Sequence, residues 1–162
     1  MLRRYSLHPN MSSDWTHFQS LIAGGVNTAS TANLEAALKL VRGRPLATIP
    51  DGMWRWAHDW REEAIATIVD TAHDLAVRRM SHGDVDGARW AVRQGRTVDE
   101  LTEILIRDEI RLERMAGNHS RVQRLDEQLV QIARENPDIE LDPETLELLH
   151  EIRDGRRRRS AQ

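Results

Sequence analysis

Two short breaks interrupt the helical patterning in the middle of the chain, at Gly83-Asp84 and at Gly117-Asn118, and they are separated by 34 residues. Each break follows a long segment with apolar residues at helical spacing and precedes another such segment. A glycine at such a point ends the preceding helix. This arrangement predicts repeated helical pairs, whose apolar faces are buried only when neighbouring pairs stack on each other.

The composition is that of an ordinary folded domain: 162 residues, 40% hydrophobic and 30% charged. The chain has no cysteine, which excludes disulfides and thiolate metal sites. No apolar run approaches the ~20 residues that a membrane span needs. Met1–Leu7 also lacks the apolar core of a signal peptide. We therefore expect a cytoplasmic protein that makes no membrane contact.

The apolar periodicity predicts about seven helices. The first helix is expected to start at Ser13, the second at Ser30 or Thr31, and the last at Asp142-Pro143. The four helices between them are expected over Ala57–Met80, over a short segment that ends near Gln94, over Val98–Ala116 and over Ser120–Arg134. Together with the 34-residue spacing, these helices predict an all-α, tetratricopeptide-like helical repeat stack. The helical domain is expected over 11–154.

The two ends of the chain lie outside the periodic pattern. Residues 1–10 contain an alternating segment, Leu2–Leu7, which predicts a short strand without a partner, hence a remnant or tail of a preceding domain. Residues 155–162 contain the basic run Arg156–Arg159, and blocks of like charge are usually disordered tails. The formal net charge of −3 is unlike that of a DNA-binding surface. We expect no direct nucleic-acid binding by this fragment.

No catalytic, cofactor-binding or metal-binding motif is found. None of the seven histidines has another at i+3 or i+4, where two ligands would share a helix face, and HExxH, GxSxG and Walker motifs are absent. We expect no enzyme activity. Asp108 lies within an apolar helical stripe, and a buried carboxylate requires a partner. An ion pair with Arg78 or Arg79 is the favoured interpretation over a functional role.

Five residues are candidates for contact with a partner. Trp90 is predicted on the face of its helix opposite the apolar stripe, beside Arg89 and Arg93, and exposed Trp and Arg are typical of binding hot spots. The alternative is that Trp90 packs within the chain. Ile106 and Ile110 lie on the second face of a middle helix, where burial between neighbouring helices is favoured over a contact between subunits.

From Trp15 onward, the chain resembles the bacterial transcriptional activator domain of the antibiotic-regulatory-protein family of actinobacterial regulators. The residues that carry the resemblance are Asp14–Phe18, Leu34–Leu38, Arg42–Leu46, Trp60–Glu63 and Leu141–Thr145. Gly43-Arg44-Pro45-Leu46 is the most specific of these. In that family the domain follows a winged-helix DNA-binding domain. The segment Arg4-Tyr5-Ser6-Leu7 resembles the last strand of that DNA-binding domain.

The resemblance implies a module for protein–protein interaction or oligomerisation in a bacterial transcription regulator. It would bind a protein partner or a second copy of itself, and position a DNA-binding domain elsewhere in the parent protein. Contact with RNA polymerase would occur through that parent protein. The alternative is a scaffolding or peptide-binding module of a multidomain protein unrelated to transcription.

Overall fold

The computed structural model describes residues 12–50, 52–135 and 140–160, with only the backbone described over 156–160. These residues form seven α-helices and one short 3-10 helix, and none of them forms a strand. The predicted all-α class is therefore confirmed. The helices are α1 Asp14–Leu21, α2 Thr31–Lys39, α3 Arg55–Ser81, α4 Val85–Arg96, α5 Glu103–Met115, α6 His119–Glu135 and α7 Pro143–Ser160. The strand predicted over Leu2–Leu7 lies outside the described residues.

Serine side chains fix the starts of the first two helices. Ser13 Oγ accepts the backbone N–H of Thr16 at 3.1 Å, and Ser30 Oγ accepts that of Asn33 at the same distance. Each bond satisfies one of the amides that a helix start leaves without an intrahelical acceptor. Both predicted starts are therefore confirmed.

The ends of α3 and α5 have the same backbone geometry. Gly83 and Gly117 follow the two helices with φ angles of 73° and 72°. In both turns the amide after the glycine donates to the carbonyl five residues before it, at 2.9 Å and 2.8 Å. This is the Schellman arrangement, which needs a left-handed residue and therefore favours glycine.

The next residue of each turn begins the following helix in the same way. The Asp84 carboxylate accepts the amide of Gly87 at 2.9 Å, and the Asn118 side-chain oxygen accepts the amide of Arg121 at 3.3 Å. The turn that joins α3 to α4 is thus equivalent to the turn that joins α5 to α6, and the two turns are 34 residues apart in the sequence.

Two hydrophobic clusters hold the stack together. The first joins α1–α5 and is built around buried residues that include Phe18, Leu34, Leu38, Leu75, Ala88, Val92, Leu105 and Leu112. The second joins α5, α6 and α7 and consists of Ile106, Ile110, Val122, Leu125, Leu129, Leu148, Leu149 and Ile152. Since α5 contributes to both, it is sandwiched between the two halves.

Helix α5 is shorter than the sequence predicts. It begins at Glu103 instead of Val98, because the carboxylate of Asp99 accepts the Leu101 amide at 3.0 Å and so favours a turn there. Leu101, expected on the buried stripe, is consequently 55% exposed, and Met115 at the far end of α5 is 56% exposed.

Helix α7 is longer than expected and continues to Ser160. The backbone of residues 155–160 is therefore helical, where the charge run predicted a disordered tail. Arginine has a high helix propensity, and the helix can extend through this run.

The connection between α2 and α3 is held in place by Arg61, a buried residue of α3. Its guanidinium donates to the carbonyl groups of Leu46 and Ile49 at 3.1 Å and 2.8 Å. These bonds hold the loop against the side of α3. None of the helices in the described part of the chain is long and apolar enough to cross a bilayer.

Candidate interaction surfaces

Ile106 and Ile110, two of the predicted partner-binding residues, are fully buried in the second cluster. They pack against α6 and α7 of the same chain and cannot contact a partner in this fold. Their assignment as binding residues is wrong. The favoured alternative, burial of a middle helix on both faces, is confirmed.

Trp90 does not lie with its two predicted neighbours on a common free surface. It is partly buried and packs against the first cluster. Arg89 and Arg93 instead line a cleft of about 600 Å³ together with Arg96 and Arg121. The structure therefore keeps the two arginines together and assigns the indole ring to packing within the chain.

Three glutamates also line the arginine cleft, and two of them are buried beneath the guanidinium groups. The Arg89 guanidinium donates to both carboxylate oxygens of Glu113, at 2.8 Å and 3.2 Å. Glu109 accepts hydrogen bonds from both Arg96 and Arg121. Such charge-assisted bonds fix the positions of the arginines more firmly than solvent would.

The pKa values of the paired groups follow from this geometry. The hydrogen bond from Arg89 holds the pKa of Glu113 below its ordinary value, although burial alone would raise it. The same bond raises the pKa of Arg89. Both groups are therefore ionised at neutral pH. Arg93 differs: it is exposed and makes no ion pair or hydrogen bond with any residue that the structure describes.

A second surface, which the sequence analysis missed, lies at the start of α3. Met53, Trp54 and Trp56 are 57%, 49% and 62% exposed. The two indole rings stack with centroids 5.8 Å apart and an interplanar angle of 14°. The sequence signal was present, since Trp54 precedes the helix and has no place in its apolar stripe. We call these three residues the tryptophan patch.

Asp108 is fully buried, as predicted, but its partner is not an arginine of α3. Its Oδ2 lies 2.6 Å from Nδ1 of His73, and its Oδ1 lies 3.5 Å from Arg111. Arg78 instead donates to carbonyl groups of the loop between α1 and α2. Arg79 binds carboxylates on α2 and at the cap of α4. The predicted pairing with Arg78 or Arg79 is therefore wrong.

His73 lines a further cleft of about 590 Å³ beside the loop that follows α1. The hydrogen bond to Asp108 raises the pKa of His73, against the opposing effect of burial. The hydroxyl of Thr28 in this cleft donates to the carbonyls of Gly24 and Gly25, both at 3.0 Å, and not to the imidazole. The pair thus joins two helices and has no hydroxyl nucleophile aligned with it among the described residues.

No group of three or more metal-ligating side chains is found within the described ranges. The comparisons with known proteins add no assignment: no family model, no curated protein and no solved structure matches the chain.

Proposed function

We propose that this chain is a cytoplasmic protein–protein interaction module of a bacterial transcription regulator, built as a tetratricopeptide-like stack. The observation that carries the proposal of an interaction module is the tryptophan patch. A stacked pair of half-exposed tryptophans leaves a large apolar area in water, and exposed aromatic clusters of this kind mark binding sites.

The charges beside the patch favour a basic partner. Asp59 and Glu63 follow Trp56 on α3 at i+3 and i+7, the spacing that places residues on one face of a helix, and both are exposed. Arg55, also exposed, adds one positive charge beside the tryptophans, so that the two acids outnumber it. An apolar centre with an acidic border complements a surface that carries Lys or Arg. A DNA-binding domain has such a surface, because its affinity for phosphates depends on basic residues.

The position of the patch suits a domain that precedes the helical stack. Trp15 near the start of α1 contacts Trp60 of α3, with ring centroids 5.5 Å apart. Trp56 lies one helical turn from Trp60 on the same helix. A domain joined to the stack before α1 would therefore end close to Trp15, on the side of α3 that carries the tryptophan patch. We propose that the patch binds the basic face of the regulator's DNA-binding domain.

The assignment to transcription rests on the resemblance of Trp15–Thr145 to the activator domain of actinobacterial regulators. The assignment is tested by comparing the transcripts of three host strains. In the first the gene for this chain is intact, in the second it is deleted, and in the third it encodes the double variant Trp54→Ala/Trp56→Ala. We expect a set of transcripts to change on deletion and to change in the same direction in the double variant. A control strain carries Leu101→Ala, which removes an equally exposed apolar side chain outside the tryptophan patch. Its transcripts should be normal.

Two outcomes would count against this proposal. Unchanged transcripts on deletion would favour the alternative, a scaffolding or peptide-binding module. Normal transcripts in the double variant, at normal protein level, would mean that regulation does not use the tryptophan patch.

A further inference from the structure

We infer that the arginine cleft between α4, α5 and α6 binds an acidic segment of a partner protein through the carboxylates of that segment. The cleft is a surface different from the tryptophan patch, and the inference does not depend on the proposed role in transcription. It rests on the layered arrangement of charge in the cleft.

The buried acids and the accessible bases form two layers. The side chains of Glu109 and Glu113 are only 11% and 4% exposed, so their charge is covered by the arginines that bind them. Arg89 and Arg121 keep 29% and 36% of their side chains accessible. Asp86, whose side chain is 96% exposed, also accepts a hydrogen bond from Nη1 of Arg89 at 2.8 Å, and Glu100 is a second exposed acid at the cleft. The positive charge that a ligand can reach is therefore concentrated at Arg93 and Arg121, and not spread over all four arginines of the cleft.

The buried glutamates also prepare the arginines for binding. A free arginine side chain loses rotamer freedom when it binds an anion, and this loss reduces affinity. Arg89, Arg96 and Arg121 are already held by charge-assisted hydrogen bonds to the buried acids. All three guanidinium nitrogens of Arg89 and of Arg96 already donate within the chain. Arg121 donates to Glu109 only through Nε and Nη2, so its Nη1 can donate to a carboxylate of a ligand.

Arg93 is the most exposed cation of this cleft. It lies one turn after Arg89 on α4, and no described carboxylate neutralises it. The third acid, Glu100, is exposed at the cleft and its charge would repel an acidic ligand at that end. A discrete pair of carboxylates fits this pattern. A nucleic acid does not, because a chain of net charge −3 with an acid in the cleft offers no extended basic track.

The test uses a fluorescein-labelled hexaglutamate peptide as the probe and measures its anisotropy with the full chain at about 150 mM salt. We expect Arg93→Ala to weaken binding by about tenfold and Arg93→Glu to abolish it. Since Arg93 has no described partner, neither change should lower the melting temperature. Glu100→Gln should strengthen binding.

Three controls separate this site from general charge effects. Arg134→Glu changes the net charge of the chain by as much as Arg93→Glu does, but at an exposed site outside the cleft, and should leave binding of the peptide unchanged. A hexaglutamine peptide should not bind. Trp54→Ala/Trp56→Ala should bind hexaglutamate normally, so that failure of the tryptophan patch and failure of the cleft remain distinguishable.

The inference is overturned if hexaglutamate does not bind at millimolar concentration, or binds Arg93→Glu as tightly as the unchanged chain. Inorganic phosphate and a short DNA duplex are measured in parallel. Binding of the duplex that is tighter than that of the peptide and equally dependent on Arg93 would also overturn it, because the cleft would then recognise phosphates.

Discussion

Nδ1 of His73 on α3 lies 2.6 Å from Oδ2 of the fully buried Asp108 on α5, and this contact ties the first helices of the two equivalent pairs to each other. Asp74 and Arg111 are the other charges that act on the imidazole, and their effects oppose each other. The pKa of His73 is raised chiefly by the hydrogen bond to Asp108. The pair should therefore make the stability of the fold depend on pH.

His73→Gln tests this dependence. A folded-state pKa above the unfolded value of about 6.5 stabilises the fold fully below that pH, and the contribution is lost as pH rises through the folded pKa. We expect the variant to lose roughly 1 kcal/mol more at pH 5.5 than at pH 8.5 in urea unfolding. In an Asp108→Asn background this pH-dependent difference should vanish. The same loss at both pH values would contradict the assignment.

Leu105→Ala and Leu101→Ala compare two leucines that the sequence places on one stripe. Leu105 is fully buried in the first cluster, whereas Leu101 is exposed. We expect a loss of about 2–5 kcal/mol in the free energy of unfolding for Leu105→Ala. The loss for Leu101→Ala should stay within about 0.5 kcal/mol. Similar losses for the two variants in urea titrations would mean that the start of α5 is misplaced.

Gly95→Ala tests the close approach of α4 to its neighbours. A Cβ at this position would lie 2.6 Å from Cβ of Ala72 and 2.5 Å from Cδ1 of Leu105. The leucine can move, but the alanine is fixed to α3. Overpacking should cost about 1–3 kcal/mol in chemical unfolding, even though alanine favours helix.

The matched control for Gly95→Ala is the exchange Ala72→Gly/Gly95→Ala, which keeps the total volume. It should lose less stability than the sum of the two single variants. Strict additivity would show that the two positions are not in contact.

Gly117→Ala tests the second of the equivalent turns. The left-handed φ of 72° penalises any side chain with a Cβ, so the variant should lose about 1 kcal/mol. Gly117→Asn should lose less, because asparagine tolerates this conformation. The matching pair, Gly83→Ala and Gly83→Asn, should show the same order in thermal melts. A different order at the two glycines would contradict the equivalence of the turns.

The helices and their turns could be predicted from the sequence because they depend on local signals. Ser13 and Ser30 mark helix starts, and the glycines at 83 and 117 mark helix ends, without reference to the rest of the chain. Burial of Ile106 and Ile110 followed from the position of α5 in the middle of the stack.

Side-chain partners between helices could not be predicted in this way. Asp108 pairs with His73 and not with Arg78 or Arg79 because the rotation and register of α3 against α5 select the partner, and helical spacing contains no information on either. The arginine cleft was found only in part for the same reason, since Arg121 comes from a different helix pair.

The tryptophan patch was missed because exposure depends on how far a neighbouring helix extends. Trp56 and Trp60 share one face of α3, so the periodicity alone treats them alike. α1 has only eight residues, and its Trp15 packs on Trp60. Trp56, one turn earlier, remains exposed.

The most direct test of the tryptophan patch is site-specific photo-cross-linking in the host with Trp56→p-benzoylphenylalanine, followed by identification of the cross-linked peptides by mass spectrometry. We expect cross-links to a basic surface of the regulator's own DNA-binding domain. The same photoreactive residue at position 101 should give none of these products. An equal set of products from both positions, or cross-links at position 56 only to proteins without a role in transcription, would contradict the account.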